Sequence, residues 1–238
     1  DAQRVVDAVS PATWKVANVE RTASHRMPHA PFTTSTLQQE SARRLRFSSK
    51  QTMMFAQGLY EAGFITYMRT DSVNLSEQSL VQAAAHITGA YGDRYHKRRK
   101  FKTKSKSAQE AHEAIRPTDP ARTPEALESS LTPQQAKLYD LIWRRFTASQ
   151  MTEAAFDATA IDIEAGEYGF RATGSVLTFD GFLKVYPSKF EDNELPPVTQ
   201  GQALALHEVK PEQHFTKPPA RYNEASLIKI LEKAGIGR

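Results

Sequence analysis

Tyr67, Arg69 and Asp71 stand at alternate positions in the run Ile65-Thr66-Tyr67-Met68-Arg69-Thr70-Asp71-Ser72. An extended backbone sends residues i and i+2 to the same side. Tyr67 and Arg69 then face one target together, with Asp71 placed to orient the guanidinium. A phenolic hydroxyl beside a guanidinium is equipment for reversible attack on a phosphate diester. The phenol supplies the nucleophile, and the cation holds the charge that grows on the phosphate oxygens. A phenolate leaves more readily than an alkoxide, so the covalent step runs backward without outside energy. The same spacing also fits a surface tyrosine beside an ion pair, and spacing alone does not choose between them. Tyr60 competes for the nucleophile's place, but it lies within a helical repeat and its ring is expected to be packed.

A second constellation is Gln109-Glu110-Ala111-His112-Glu113-Ala114-Ile115-Arg116-Pro117. His112 and Arg116 share a face if the segment is helical. Both donate to phosphate oxygens, and a histidine also shuttles protons near neutrality. A short helix whose charges face water is the competing reading. Just upstream lie seven basic residues and no acidic one: Lys97, Arg98, Arg99, Lys100, Lys102, Lys104 and Lys106. They outnumber the chain's formal net charge of +4, so the rest of the chain is slightly acidic. Such a run attracts phosphates by counterion release, and equally fits a solvated loop. Nothing has metal-ligand spacing. Glu110 and Glu113 are carboxylates without a supporting cluster, and Asp162 and Glu164 read as the polar face of a strand. No metal ligand or cofactor is therefore assigned within this chain.

These residues need elements to hold them. The stretch 1–26 reads as extended, with partial alternation over Ala12–Glu20, and Pro28 and Pro31 end it. Helices dominate from Thr34 to about Gln150. Thr34 or Ser35 caps a helix reaching Phe47. Ser48 or Ser49 caps the next, stopped by Gly63, with Met53, Met54, Leu59 and Tyr60 as core. Ser76 caps a third, stopped by Gly89. Thr123-Pro124 and Thr132-Pro133 each set a capping hydroxyl before a first-turn proline, and Gln135 completes a capping box. From Phe156 the period becomes two. Strands are predicted over Phe156–Glu164, Phe170–Tyr186 and Ala203–Val209, and a last helix from Asn223 stops at Gly235. The fold class is α+β, with a helical domain (27–153) inserted into a β-rich domain made of 1–26 and 154–238.

The chain has 238 residues, 39% of them hydrophobic, and no cysteine. That excludes disulfide scaffolds and thiolate zinc sites. No apolar run is long enough to span a bilayer and the first residues carry no signal pattern, so a cytoplasmic location is expected. A start without methionine and an end directly after a helix predict an internal piece of a longer protein.

Three stretches, in order and at matching spacing, resemble the bacterial type IA DNA topoisomerases. They are Pro31–Gln39 leading to Leu59–Ser72; Glu110–Pro117; and His214–Tyr222 with Glu224–Leu227 and Gly235–Arg238. The resemblance implies that Tyr67 attacks single-stranded DNA and becomes joined to the 5′ phosphate, that Arg69 holds the scissile phosphate, and that His112 contacts DNA. It implies a toroidal enzyme in which the helical domain carrying the tyrosine sits on a β-rich arch. It further implies that Mg2+ is held by acidic residues outside this chain, in a Toprim domain. On this basis the partners are single-stranded or negatively supercoiled DNA and the remainder of the same polypeptide. The isolated chain is expected to be inactive. Arg116, Asp71 and the basic residues Lys97, Arg98, Arg99 and Lys100 complete the expected DNA contacts. A single-stranded DNA-binding module without catalysis, held by the basic run, is the alternative.

Overall fold

A computed structural model describes residues 2–101, 112–189 and 191–236. Lys102, Lys104 and Lys106, together with Gln109, Glu110 and Ala111, lie outside the described residues, as do Gly237 and Arg238. The chain divides into two compact units. The first comprises 1–26, 154–180 and 188–219; the second comprises 27–153, 181–187 and 220–238. The antiparallel sheet lies in the first unit and all but one of the described α-helices in the second, so the class is α+β.

The first unit is built on a four-stranded sheet of order β3-β2-β1-β4. Its strands are β1 (Trp14–Arg26), β2 (Ala154–Ala165), β3 (Tyr168–Phe179) and β4 (Ala203–Leu204). β2 and β3 form a hairpin across Gly166 and Glu167, with Gly166 at φ +62°, as a tight turn there requires. β1 pairs antiparallel with β2 from Trp14↔Ala165 to Arg26↔Ala154, with an irregularity between Val16 and Asn18. Trp14 stacks on Phe170 at 4.7 Å and donates its indole N–H to the Val9 carbonyl. Val9 ends a helix, α1 (Ala2–Val9), where an extended start was expected. The alternation that predicted a strand belongs only to the stretch from Trp14 onward.

Three further expectations change. The strand predicted to reach Tyr186 stops at Phe179, because Gly181 turns the chain at φ +48° and Gly181–Lys184 is a 3-10 turn packed with the helices. A side chain at Gly181 would meet the Thr152 and Glu153 carbonyl oxygens at 2.5 Å, so backbone passes there at closest approach. The predicted strand Ala203–Val209 is paired only at Ala203 and Leu204. The last helix, assigned above to the β-rich domain, packs with the helical unit.

The helical unit contains α2 (Thr34–Arg44), α3 (Ser49–Glu61), α4 (Glu77–Tyr91), α5 (Pro124–Leu127), α6 (Pro133–Ser149) and α7 (Glu224–Lys233). Ser48, Ser76, Thr123, Thr132 and Asn223 cap their helices as read from sequence, and Gln135 closes the box on Thr132. The cap of α2 is Thr33, one residue earlier than expected. The same helix ends at Arg44 rather than Phe47, because Arg46 takes a left-handed φ of +61° before Ser48 restarts a helix. α4 runs on to Tyr91, past the expected stop at Gly89. α6 is the central element. Leu138, Tyr139, Leu141, Ile142, Trp143 and Phe146 are all buried, more of its circumference than one stripe. Tyr139 and Trp143 satisfy their polar ends on the Arg122 and Pro120 carbonyls, so both rings bury without an unmet donor. Met54 and Tyr60, expected in the core of α3, are instead exposed, at 58% and 40%.

Candidate active site

The segment holding Tyr67 begins where α3 is stopped. Gly63 takes φ +76°, and the amides of Gly63 and Phe64 close back on Tyr60 and Leu59. The chain then runs extended beside residues 114–118. Thr66 donates its amide to the Arg116 carbonyl (2.9 Å), and Thr118 donates to Phe64 (3.0 Å). The Thr66 hydroxyl donates to the Ala114 carbonyl at 2.6 Å and accepts from the Arg116 amide at 3.0 Å. Isolated bridges join Ile65 to Pro117 and Phe32 to Ile115. Three sequence-distant stretches are thereby fastened under one short loop.

Beyond Thr66 exposure alternates. Met68, Thr70 and Ser72 are buried, at 1%, 9% and 0%, while Tyr67 is 50% exposed and Arg69 is exposed. Asp71 is half-buried. Tyr67, Arg69 and Asp71 therefore point outward as the two-residue period requires, and the residues between them are anchors. The ring of Tyr67 packs edge to face on Tyr60 at 5.2 Å, so the two tyrosines form one exposed pair.

Arg69, Asp71 and His112 line a single cleft of about 540 Å³, whose other walls include Thr34 and Ser35 at the start of α2 and Glu232 of α7. Tyr67 is not part of that lining. The Glu232 carboxylate accepts from the Ser35 hydroxyl at 2.8 Å and from the Gln39 amide at 3.4 Å. Sequence reasoning missed Thr34, Ser35 and Glu232 as cleft residues. The run Thr33-Thr34-Ser35-Thr36 was the available signal, since it holds more hydroxyls than one helix cap uses.

His112 and Arg116 do not share a helix face. The segment is extended; His112 is exposed in the cleft, and Arg116 is buried. Arg116 pairs with Glu113 at 2.7 Å and donates to the Pro117 carbonyl at 2.9 Å. Glu113 in turn accepts from the Ser76 amide at 2.8 Å, at the start of α4. Burial alone would raise the Glu113 carboxyl, but the Ser76 hydrogen bonds and the Arg116 charge outweigh it and hold the carboxyl below its usual range. In this arrangement Arg116 serves as internal scaffolding.

The described part of the basic run is not a loose loop. Lys97 and Arg99 both pair with Glu153, at 2.6 and 2.5 Å, and Arg99 also donates to the Met151 carbonyl. Arg98 and Lys100 both pair with Glu77, the latter at 2.7 Å. The hydrogen bond from Lys97, with the Glu153 backbone amide and the two cations, brings the Glu153 carboxyl down to about 2. Hydrogen bonds from Lys100 and Arg98 lower Glu77 as well. Four cations thus share two carboxylates.

Among the described residues no three histidine or acidic side chains gather where they could hold a metal ion. The described residues do not fit the Mg2+ that the resemblance implies, which it assigns to residues outside this chain. Among the described residues no helix is long and apolar enough to cross a membrane.

Against known proteins, the family model described as DNA topoisomerase matches residues 1–238. The chain is 49% identical over 242 residues to DNA topoisomerase 1 of Haemophilus influenzae. It is 48% identical over 241 residues to that of Pasteurella multocida. In both alignments the whole chain is covered and 28% of the relative, so the chain spans little more than a quarter of their length. The solved structure of full-length topoisomerase I from Thermotoga maritima superposes with a TM-score of 0.85 at 38% identity. That match covers all of this chain and 40% of the other.

Proposed function

The chain belongs to the bacterial DNA topoisomerase family, and from that premise we propose that Tyr67 is the nucleophile of a type IA strand-cleavage reaction. The phenolic oxygen attacks the phosphorus of a single-stranded DNA phosphodiester. The bond to O3′ breaks, the phenolic proton is delivered to that oxygen, and the 5′ phosphate remains on the tyrosine. Religation is the reverse, with the 3′ hydroxyl attacking and the phenol leaving. The phosphodiester energy is kept in the phosphotyrosine, so ATP is not required. Passage of the other strand through the gap relaxes negative supercoils.

The observation that carries this reading is the alternation along Tyr67–Ser72. It puts the phenol and the Arg69 guanidinium on the outward side of a buried-anchored segment. Arg69 makes no ion pair among the described residues, and it opens on a cleft with His112. A guanidinium held there meets the non-bridging oxygens of a phosphate, where charge accumulates during transfer. His112 adds a second donor. The substrate on this reading is single-stranded or negatively supercoiled DNA. Magnesium and the residues that hold it belong to the rest of the full-length polypeptide, which acts in the cytoplasm on the nucleoid. The isolated chain is then inactive in relaxation.

Oligonucleotide cleavage by the full-length protein, trapped with detergent, tests the reading. DNA labelled at its 3′ end is expected to become protein-linked, DNA labelled at its 5′ end to be released free, and Tyr67→Phe to abolish the link. Protein attached to the 5′-labelled fragment, or an adduct that survives Tyr67→Phe, contradicts it.

A further inference from the structure

The cap of α2 leaves one hydroxyl to spare. Thr33 caps the helix, accepting from the Thr36 amide and exchanging bonds with the Thr36 side chain. Thr34 stands at the first helical position with its hydroxyl turned away from that cap. It donates to the Met68 carbonyl at 2.7 Å, with the Thr70 carbonyl at 3.1 Å, and accepts from the Thr70 amide at 2.8 Å. Its own amide, one of the donors a helix start leaves without an intrahelical partner, donates to the Thr70 carbonyl at 2.9 Å. One residue therefore holds the backbone on both sides of Arg69.

The segment needs such a holder. Residues 67–71 lie in no helix or strand, so no ladder fixes their backbone. The guanidinium sits at the end of a long, flexible side chain, and its aim is only as good as the placement of its Cα. Because Met68 and Thr70 are buried, water does not readily replace the Thr34 bonds if they are removed. We infer that Thr34 is a positioning residue for Arg69: its hydroxyl ties Met68 and Thr70 to the start of α2 and so aims the guanidinium at the cleft. This rests on the reading of Tyr67 and Arg69 as the phosphate-attacking and phosphate-holding groups.

The experiment uses the full-length protein and single-turnover cleavage of a 3′-labelled oligonucleotide. Thr34→Val keeps the shape and removes the hydroxyl; Thr34→Ser keeps the hydroxyl. Misplacing a reacting group by about 1 Å costs up to about a hundredfold in rate. Thr34→Val is accordingly expected to slow cleavage by about 10- to 100-fold, with Thr34→Ser staying within about threefold of the parent. In an Arg69→Lys background, which lacks the fork to be aimed, the further loss from Thr34→Val should shrink to under about threefold. Thr34→Ala in the same two backgrounds reads the same coupling if Thr34→Val does not fold. Parental rates in Thr34→Val, equal losses in both backgrounds, or Thr34→Ser as slow as Thr34→Val overturn the inference. Tyr67→Phe separates the levels. An adduct that survives it removes the underlying reading, whereas an adduct lost with Tyr67→Phe but untouched by Thr34→Val removes only the role of Thr34.

Discussion

The segment 67–72 and the basic stretch 97–100 both advertise phosphate chemistry in sequence, and they fold into opposite arrangements. In the first, buried Met68, Thr70 and Ser72 hold the backbone while the reactive side chains face outward. In the second, Lys97, Arg98, Arg99 and Lys100 are distributed over Glu77 and Glu153. The first holds its outward side chains on a fixed base; the second uses its charge to fasten itself to the start of α4 and to Glu153, just past the end of α6. Density of positive charge thus marks where pairing is possible, while on the proposed reading the cation held over a pinned backbone is the one that meets a phosphate.

The sharpest way to break this contrast is Arg69→Ala in the full-length protein. Losing one preorganised charge donor at a developing oxyanion costs about 10²- to 10³-fold in rate, and single-turnover cleavage should fall by that order while the melting temperature stays near the parent's. An unchanged rate would place Arg69 among ordinary surface residues. Arg116→Ala should do the reverse. It strands the Glu113 carboxylate among buried neighbours, and because that carboxylate keeps some exposure the cost is set below a fully buried pair, at about 2 kcal/mol of stability in urea unfolding. Loss of cleavage at full stability would return Arg116 to the site.

Acid distinguishes the regions next. Glu153 titrates at about 2 in the folded chain, below the roughly 4.3 of a free glutamate. Its contribution to stability is complete above the unfolded value and disappears as pH falls from there toward 2. The exchange protection of the Lys97 and Arg99 amides, taken relative to the intrinsic rate at each pH, should therefore fall between about pH 4 and pH 2, ahead of that at Thr70. Burial lowers the pKa of His86, which meets Trp143 edge to face. Its lowered value takes stability from the helical unit as pH drops below the unfolded histidine value of about 6.5. The smallest effect belongs to the exposed pairs. Arg98→Ala with Lys100→Ala should leave the melting temperature near the parent's and leave the salt dependence of oligonucleotide binding nearly unaltered. A slope reduced by about two would show that those cations do reach phosphates.

Where the governing interactions are local, sequence disclosed them. Ser76 and Thr132 cap the helices they were read to cap, with Gln135 closing the box, and Ser48 is the cap of the two serines offered for α3; the outward side of 67–71 followed from a two-residue period. Readings that depended on distant contacts failed. The α2 cap moved to Thr33 because Thr34 is engaged thirty-odd positions away, by Met68 and Thr70. Arg116 looked like a helix-face partner of His112 because nothing in its own segment reveals that Thr66 and Phe32 draw the backbone into extended pairing. Tyr60 read as core from its place in α3, yet it is exposed beside Tyr67.

That last pairing makes the central claim directly measurable. Two exposed tyrosines stand with their rings 5.2 Å apart, and only one can carry the covalent phosphate. The trapped DNA adduct of the full-length protein, digested and sequenced by mass spectrometry, should carry its residual nucleotide on Tyr67 alone. A nucleotide found on Tyr60, or on any residue other than Tyr67, would contradict the account.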